Sequence, residues 1–130
     1  MENLTLNEYQ EKAMITCMPT CKNIAYMSMN LCGETGKLHS KLAKAIRKGK
    51  LFIGTIDRDE NGERIMTQTF HGMTEQEMDD IKKECGDVMW QMAGVCTVLG
   101  FSLEEVCLQN LEKLQSCARR GLIDGDGDNR

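Results

Sequence analysis

The chain has 130 residues, a formal net charge of −4, ten methionines, a single proline and only 5% aromatic residues. That length and composition favour one domain with a core of interlocking helices over an aromatic-rich β-sandwich. The acidic balance excludes the basic face that duplex nucleic acid demands. No stretch reaches the ~18 uninterrupted apolar residues of a membrane span, so no membrane partner is expected. The amino terminus, with Glu2, Asn3 and Glu8, lacks the basic-then-apolar layout of a signal peptide. Seven cysteines, an odd number without zinc or disulfide spacing, predict that most are reduced thiols packed as small apolar residues in a reducing cytoplasm.

In chain order, Thr5-Leu6-Asn7-Glu8 is a capping-box pattern that opens a helix to about Met18, where Pro19 breaks the run. A second helix is predicted from about Cys21 to Lys48. Ile24, Met27, Leu31, Leu38, Leu42, Ala45 and Ile46 form its apolar stripe. Glu34 falls at the edge of that stripe, with Lys37 and Lys41 further round on the same side. Gly33 and Gly36 each cost this helix roughly 1 kcal/mol relative to alanine, which predicts close approach of a neighbouring helix or a ligand beside Glu34. Arg47-Lys48-Gly49 is a basic last turn with a glycine stop.

Residues 51–70 change character. Leu51–Ile56 and Ile65–Phe70 are β-prone and flank Asn61-Gly62, a turn signal, so a small β-hairpin insertion is expected there. Thr74-Glu75-Gln76-Glu77 is a second capping box, opening a helix to about Leu99 with Gly100 as its stop. Its stripe is Ile81, Cys85, Val88, Met89, Met92, Cys96 and Leu99. Ser102-Leu103-Glu104-Glu105 starts a last helix expected to bury Val106, Cys107, Leu111 and Leu114 and to present Asn110 and Lys113 one turn apart. Residues 121–130, rich in glycine and aspartate, read as a flexible tail. Asp124-Gly125-Asp126-Gly127-Asp128 starts like a calcium loop, but the chain ends at Arg130, before the glutamate such a loop needs at its twelfth position.

Glu84 and Asp87 lie three residues apart, on one face of their helix, and with Glu34 make three carboxylates on two helices. Hard oxygen ligands without histidine or cysteine select magnesium, or manganese, over zinc, and magnesium in turn selects phosphate-bearing substrates. Lys41, Lys113, Arg119 and Arg120 are candidate partners for the anion, and Asn110 shares a helical face with Lys113. The same acidic spacing also fits a solvated face paired with Lys82 and Lys83, and the spacing alone leaves both readings open. His39 and His71 stand without a partner acid or nucleophile at a recognisable spacing.

Gly33-Glu34-Thr35-Gly36, Glu84-Cys85-Gly86-Asp87-Val88-Met89-Trp90, Ser102–Val106, Asn110–Leu114 and Gly127-Asp128-Asn129-Arg130, in this order, resemble the MazG-like nucleoside triphosphate pyrophosphohydrolases. The resemblance runs from about Tyr9 to the last residue, interrupted by the hairpin. It implies a single all-α MazG-like domain over residues 1–130, a helical bundle completed by oligomerisation as a homodimer or homotetramer. It also implies magnesium-dependent cleavage of a nucleoside triphosphate to a monophosphate and pyrophosphate. Carried onto this chain, Glu34, Glu84 and Asp87 are the metal ligands and catalytic carboxylates. Asn110 and Lys113 contact phosphate, the tail arginines, Arg130 among them, close over it, and Gln10 and Trp90 help form the nucleoside pocket.

The chain departs from that family at Lys37, where the pattern Gly-Glu-x-Gly-Glu places a glutamate. A cluster of four carboxylates becomes three and a cation, and an ammonium within about 5 Å of a metal ion opposes its binding. Ser40 and Cys117 also replace residues of other chemistry. Three outcomes follow for Lys37: it turns outward and leaves a one-metal enzyme, it pairs with phosphate in place of a metal, or the chain binds nucleotides or partners without turnover.

Overall fold

The computed structural model describes residues 3–121. It is mostly helical, with one small antiparallel sheet: α1 (Leu6–Ile15), a 3-10 turn (Pro19–Cys21), α2 (Ile24–Arg47), β1 (Leu51–Arg58), β2 (Arg64–Phe70), α3 (Glu75–Leu99) and α4 (Leu103–Arg120). Arg130 and the expected tail from residue 122 onward lie outside the described residues. Among the described residues no single helix is long and apolar enough to cross a membrane.

All three expected capping boxes form. Thr5, Thr74 and Ser102 each accept from the backbone N–H three residues on, while Glu8, Glu77 and Glu105 reach back to the cap N–H. The helix starts therefore lie close to where the sequence puts them. The first helix stops short of Met18 because the residue before a proline is pushed out of the helical region, and Met18 is extended at φ −67°, ψ 145°. The second starts later than Cys21 because Asn23 caps it, its Oδ1 accepting from Tyr26 N at 2.8 Å. Gly49 and Gly100, both at positive φ, end α2 and α3 in the same way. Lys50 N donates to Ala45 O and Phe101 N to Cys96 O, each at 2.8 Å, the six-to-one bond of a Schellman ending.

By its contacts the chain divides into two compact units. One comprises residues up to Ser28 together with those from Trp90 onward, and its core is Ala93, Cys96 and Leu103 packed against Leu6, Tyr9, Met14, Met92 and Val106. Met27 is fully buried there against Gly94, where a Cβ would collide with the Met27 sulfur. Trp90 Nε1 donates to Ala13 O at 3.1 Å and to Thr16 Oγ1 at 2.9 Å. Gln10 accepts from Leu103 N at 2.6 Å and donates to Thr97 Oγ1 and Phe101 O. These bonds tie α1 to α3 and α4.

The second unit, Met29–Met89, holds the rest of α2, the hairpin and the first part of α3. The strands pair from Leu51↔Phe70 to Arg58↔Arg64, with a shift in register between Ile53 and Ile56. The turn is wider than Asn61-Gly62 alone, because Asp59 Oδ1 accepts from both Asn61 N and Glu63 N at 2.9 Å and so organises five residues.

Burial departs from the predicted stripes at several positions. Ile24, Ile46, Cys85, Met89, Leu99, Leu111 and Leu114 are exposed, so of the four residues expected to be buried on α4, Val106 and Cys107 are half-buried and Leu111 and Leu114 exposed. Helical periodicity identifies an apolar face, but what covers that face depends on neighbours that one chain does not supply here. All seven cysteines are free, and most are packed as expected: Cys17, Cys96 and Cys117 are buried, Cys21 and Cys107 half-buried, and Cys32 and Cys85 exposed.

Two caps carry a pH dependence. The Thr5 N–H holds the Glu8 carboxyl below the ordinary value of 4.5, and the Lys50 ammonium followed by the Thr74 N–H does the same for Glu77. A carboxyl with a lower pKa folded than unfolded contributes stability above the unfolded value and loses it as pH falls through the folded one. Urea denaturation between about pH 6 and pH 3 is expected to show a shallower acid loss in a Glu8→Gln/Glu77→Gln variant than in the parent.

Candidate functional site

Within the second unit, α2 brings Glu34 and α3 brings Glu84 and Asp87 to one place. One carboxylate oxygen from each lies within 4.8 Å of the others. Glu34 is only 9% exposed, Glu84 is half-buried and Asp87 is exposed. The three-residue spacing on α3 puts its two carboxylates on one face, as the sequence predicts, and α2 runs antiparallel to it so that Glu34 meets them.

Two lysines from the next turns of α2 reach into the cluster. Lys37 Nζ lies 3.1 Å from Glu34 Oε1, and Lys41 Nζ lies 3.4 Å from Glu84 Oε1. The hydrogen bond to Glu34, reinforced by its charge and those of Glu84 and Asp87, raises the Lys37 pKa above its ordinary value. Lys37 is 61% exposed, so the pairing is screened and weak. Glu34 Oε2 and Glu84 Oε2, in contrast, are buried with no hydrogen-bond partner. A buried carboxylate oxygen left without a donor is costly, and two of them converging on a third carboxylate cost more. An all-oxygen donor set with this deficit fits a divalent cation.

The glycines beside the cluster do not serve the contact expected of them. A Cβ at Gly36 or Gly86 would meet nothing within 4 Å, and one at Gly33 would touch only Asn30 Oδ1 at 3.6 Å. No neighbouring helix among the described residues presses on them.

Of the other residues named from the sequence, Lys41 joins the carboxylates. Gln10, Trp90, Asn110, Lys113, Arg119 and Arg120 belong to the first unit. Asn110, Lys113 and Arg119 are exposed on α4, and Arg120 Nε bonds back to Ser116 O at 3.3 Å. The polar atoms of Gln10 and the Trp90 indole N–H are committed to holding α1. The sequence reading passed over Lys44, Lys48 and Lys50, which line a pocket on the second unit with Lys41. Its signal was present: Lys37, Lys41, Lys44 and Lys48 follow one another by four, three and four residues, a single helical face.

A family model described as the MazG nucleotide pyrophosphohydrolase domain matches residues 27–120. The chain belongs to this family. It is also similar to the Gene 37 protein of Mycobacterium phage L5, 36% identical over 109 residues that cover 84% of this chain and 78% of that protein. No solved structure matches it significantly.

The cluster makes a direct prediction. Asp87→Asn removes an exposed carboxylate without breaking an ion pair, so the metal-free protein is expected to be as stable as the parent or slightly more so. The rise in Tm on adding magnesium chloride is expected in the parent and lost in the variant, as read by differential scanning calorimetry.

Proposed function

We propose that this protein is a magnesium-dependent nucleoside triphosphate pyrophosphohydrolase, cleaving a (d)NTP to the (d)NMP and pyrophosphate within the intracellular nucleotide pool. Family membership supports the reaction class. The observation that carries the reading on this chain is the cluster of Glu34, Glu84 and Asp87, in which Glu34 and Glu84 each keep one buried oxygen without a hydrogen-bond partner. Glu34, Glu84 and Asp87 would hold the ion. Magnesium or manganese bound there would neutralise polyphosphate oxygens and lower the pKa of a water for attack on phosphorus.

The chain's own residues do the rest. Lys37 and Lys41 bond to Glu34 and Glu84 here, and with a cation held by those carboxylates the two ammonium groups would be free to meet phosphate oxygens. Asn110, Lys113, Arg119 and Arg120, exposed on α4, are proposed phosphate contacts, and Arg130, outside the described residues, is proposed as another. Trp90 can serve a nucleoside only through its ring face, since its N–H is engaged, and Gln10 only by giving up its bonds to the start of α4.

The proposal includes a homodimer or homotetramer. Met29 is 75% exposed, and on α4 Leu108, Leu111 and Leu114 lie open at helical spacing. Apolar surface of that extent marks an association face. Light scattering after gel filtration is expected to give two or four times the mass of one chain, and a monomer at micromolar concentration would refute it.

A second reading, nucleotide binding without turnover, is favoured by the Lys37–Glu34 pair, which competes with the metal. Pyrophosphate release from a panel of (d)NTPs in magnesium separates the two. Lys37→Glu is expected to lower the half-saturating magnesium concentration by about tenfold and to raise release. No gain in a folded variant would mean that Lys37 already stands clear of the ion.

A further inference from the structure

Beside the acidic cluster, on the same unit, lies a partly open pocket of about 130 Å³ lined by Lys41, Lys44, Lys48, Lys50, Glu77 and Asp80 among others. We infer that this pocket binds the pyrophosphoryl end of a polyphosphate, taking the β and γ phosphates of the substrate and then the departing pyrophosphate. The inference rests on the triphosphate reading above and extends it to residues that reading leaves without a role.

Four ammonium groups face two carboxylates here, and the carboxylates are already served. Glu77 accepts from Lys50 at 2.6 Å, and Asp80 accepts from Gln76 Nε2 at 2.8 Å. Among the described residues Lys44 and Lys48 take part in no ion pair. Lys50 is turned back onto the end of α2 by the bond from its N–H to Ala45 O, and its own carbonyl accepts from His71 N at 2.8 Å. The backbone therefore fixes one cation at the mouth of the hairpin opposite two on the helix.

Continuity with the acidic cluster gives the ligand its chemistry. Lys41 both lines the pocket and lies 3.4 Å from Glu84 Oε1, so the pocket begins where the carboxylates end. Lys44 and Lys48 follow at one and two further turns, a span of roughly 10 Å along the helix axis. A chain of phosphates gripped at the carboxylates and running down α2 meets Lys41 first and ends between Lys44, Lys48 and Lys50. Compact ammonium groups suit a terminal phosphate, which offers oxygens in several directions.

Thermal unfolding with inorganic tripolyphosphate, with and without magnesium, tests this in the parent, Lys44→Gln/Lys48→Gln and Lys44→Arg/Lys48→Arg proteins. The glutamine variant is expected to need about tenfold more tripolyphosphate for the same rise in Tm, with the arginine variant close to the parent. Added salt should weaken the effect in the parent. Free pyrophosphate and an α,β-methylene triphosphate, run in parallel, report product and substrate separately. Equal half-saturation in parent and folded glutamine variant, or no protection of the parent at all, overturns the inference. Lys48→Gln alone, at an exposed position, gives the same comparison if the double variant does not fold. If (d)NTP hydrolysis proceeds with an unchanged KM in the variant, the pocket falls and the hydrolase stands. If no nucleotide is cleaved yet tripolyphosphate protection is lost in the variant, the pocket stands and the hydrolase falls.

Discussion

Two carboxylate oxygens withdrawn from water without a donor are the constraint around which the second unit is arranged. Glu34 and Glu84 are held by helices whose ends are fixed elsewhere; one oxygen of each is taken by a lysine, the other is buried without a partner, and both carboxylates cluster with Asp87. Such a grouping opposes itself through like charge and lost hydration. It persists because the helix ends on either side are firmly set: the Schellman ending at Gly49 and the capping box at Thr74 define where α2 stops and α3 begins.

Charge is laid out along these helices in register. On α2 the order from the cluster outward is Glu34, Lys37, Lys41, Lys44, Lys48, and on α3 it is Asp87, Glu84, Asp80, Glu77. Where the two rows meet closely they neutralise each other, as at Lys41–Glu84 and Lys50–Glu77. Between those contacts the rows stand apart, and the lysine pocket is the result. The acidic cluster and the lysine-lined pocket therefore follow one another along the same pair of helices.

Helix starts, the hairpin and the carboxylate triad were legible in the sequence because each rests on local rules. A capping box, a turn pair and an i, i+3 spacing need only a few residues to act. The resemblance supplied the meeting of Glu34 with Glu84 and Asp87, which lie fifty residues apart and share no local rule. What was not legible depends on surroundings. Leu111 and Leu114 read as core from their periodicity and are exposed in the single chain. Gln10 and Trp90 carry groups that could bind a ligand, yet spend their hydrogen bonds on the fold. The lysine row was visible as spacing, but nothing in the sequence said that Glu77 and Asp80 would be occupied and leave Lys44 and Lys48 unclaimed.

The empty space around Gly36 and Gly86 has a consequence of its own. Each glycine loosens its helix, and among the described residues no atom fills the room that a methyl group would occupy. The protein thus keeps bare backbone on the two strips of helix that border the acidic residues. With no contact for a Cβ to disturb, alanine at either position would stiffen its helix.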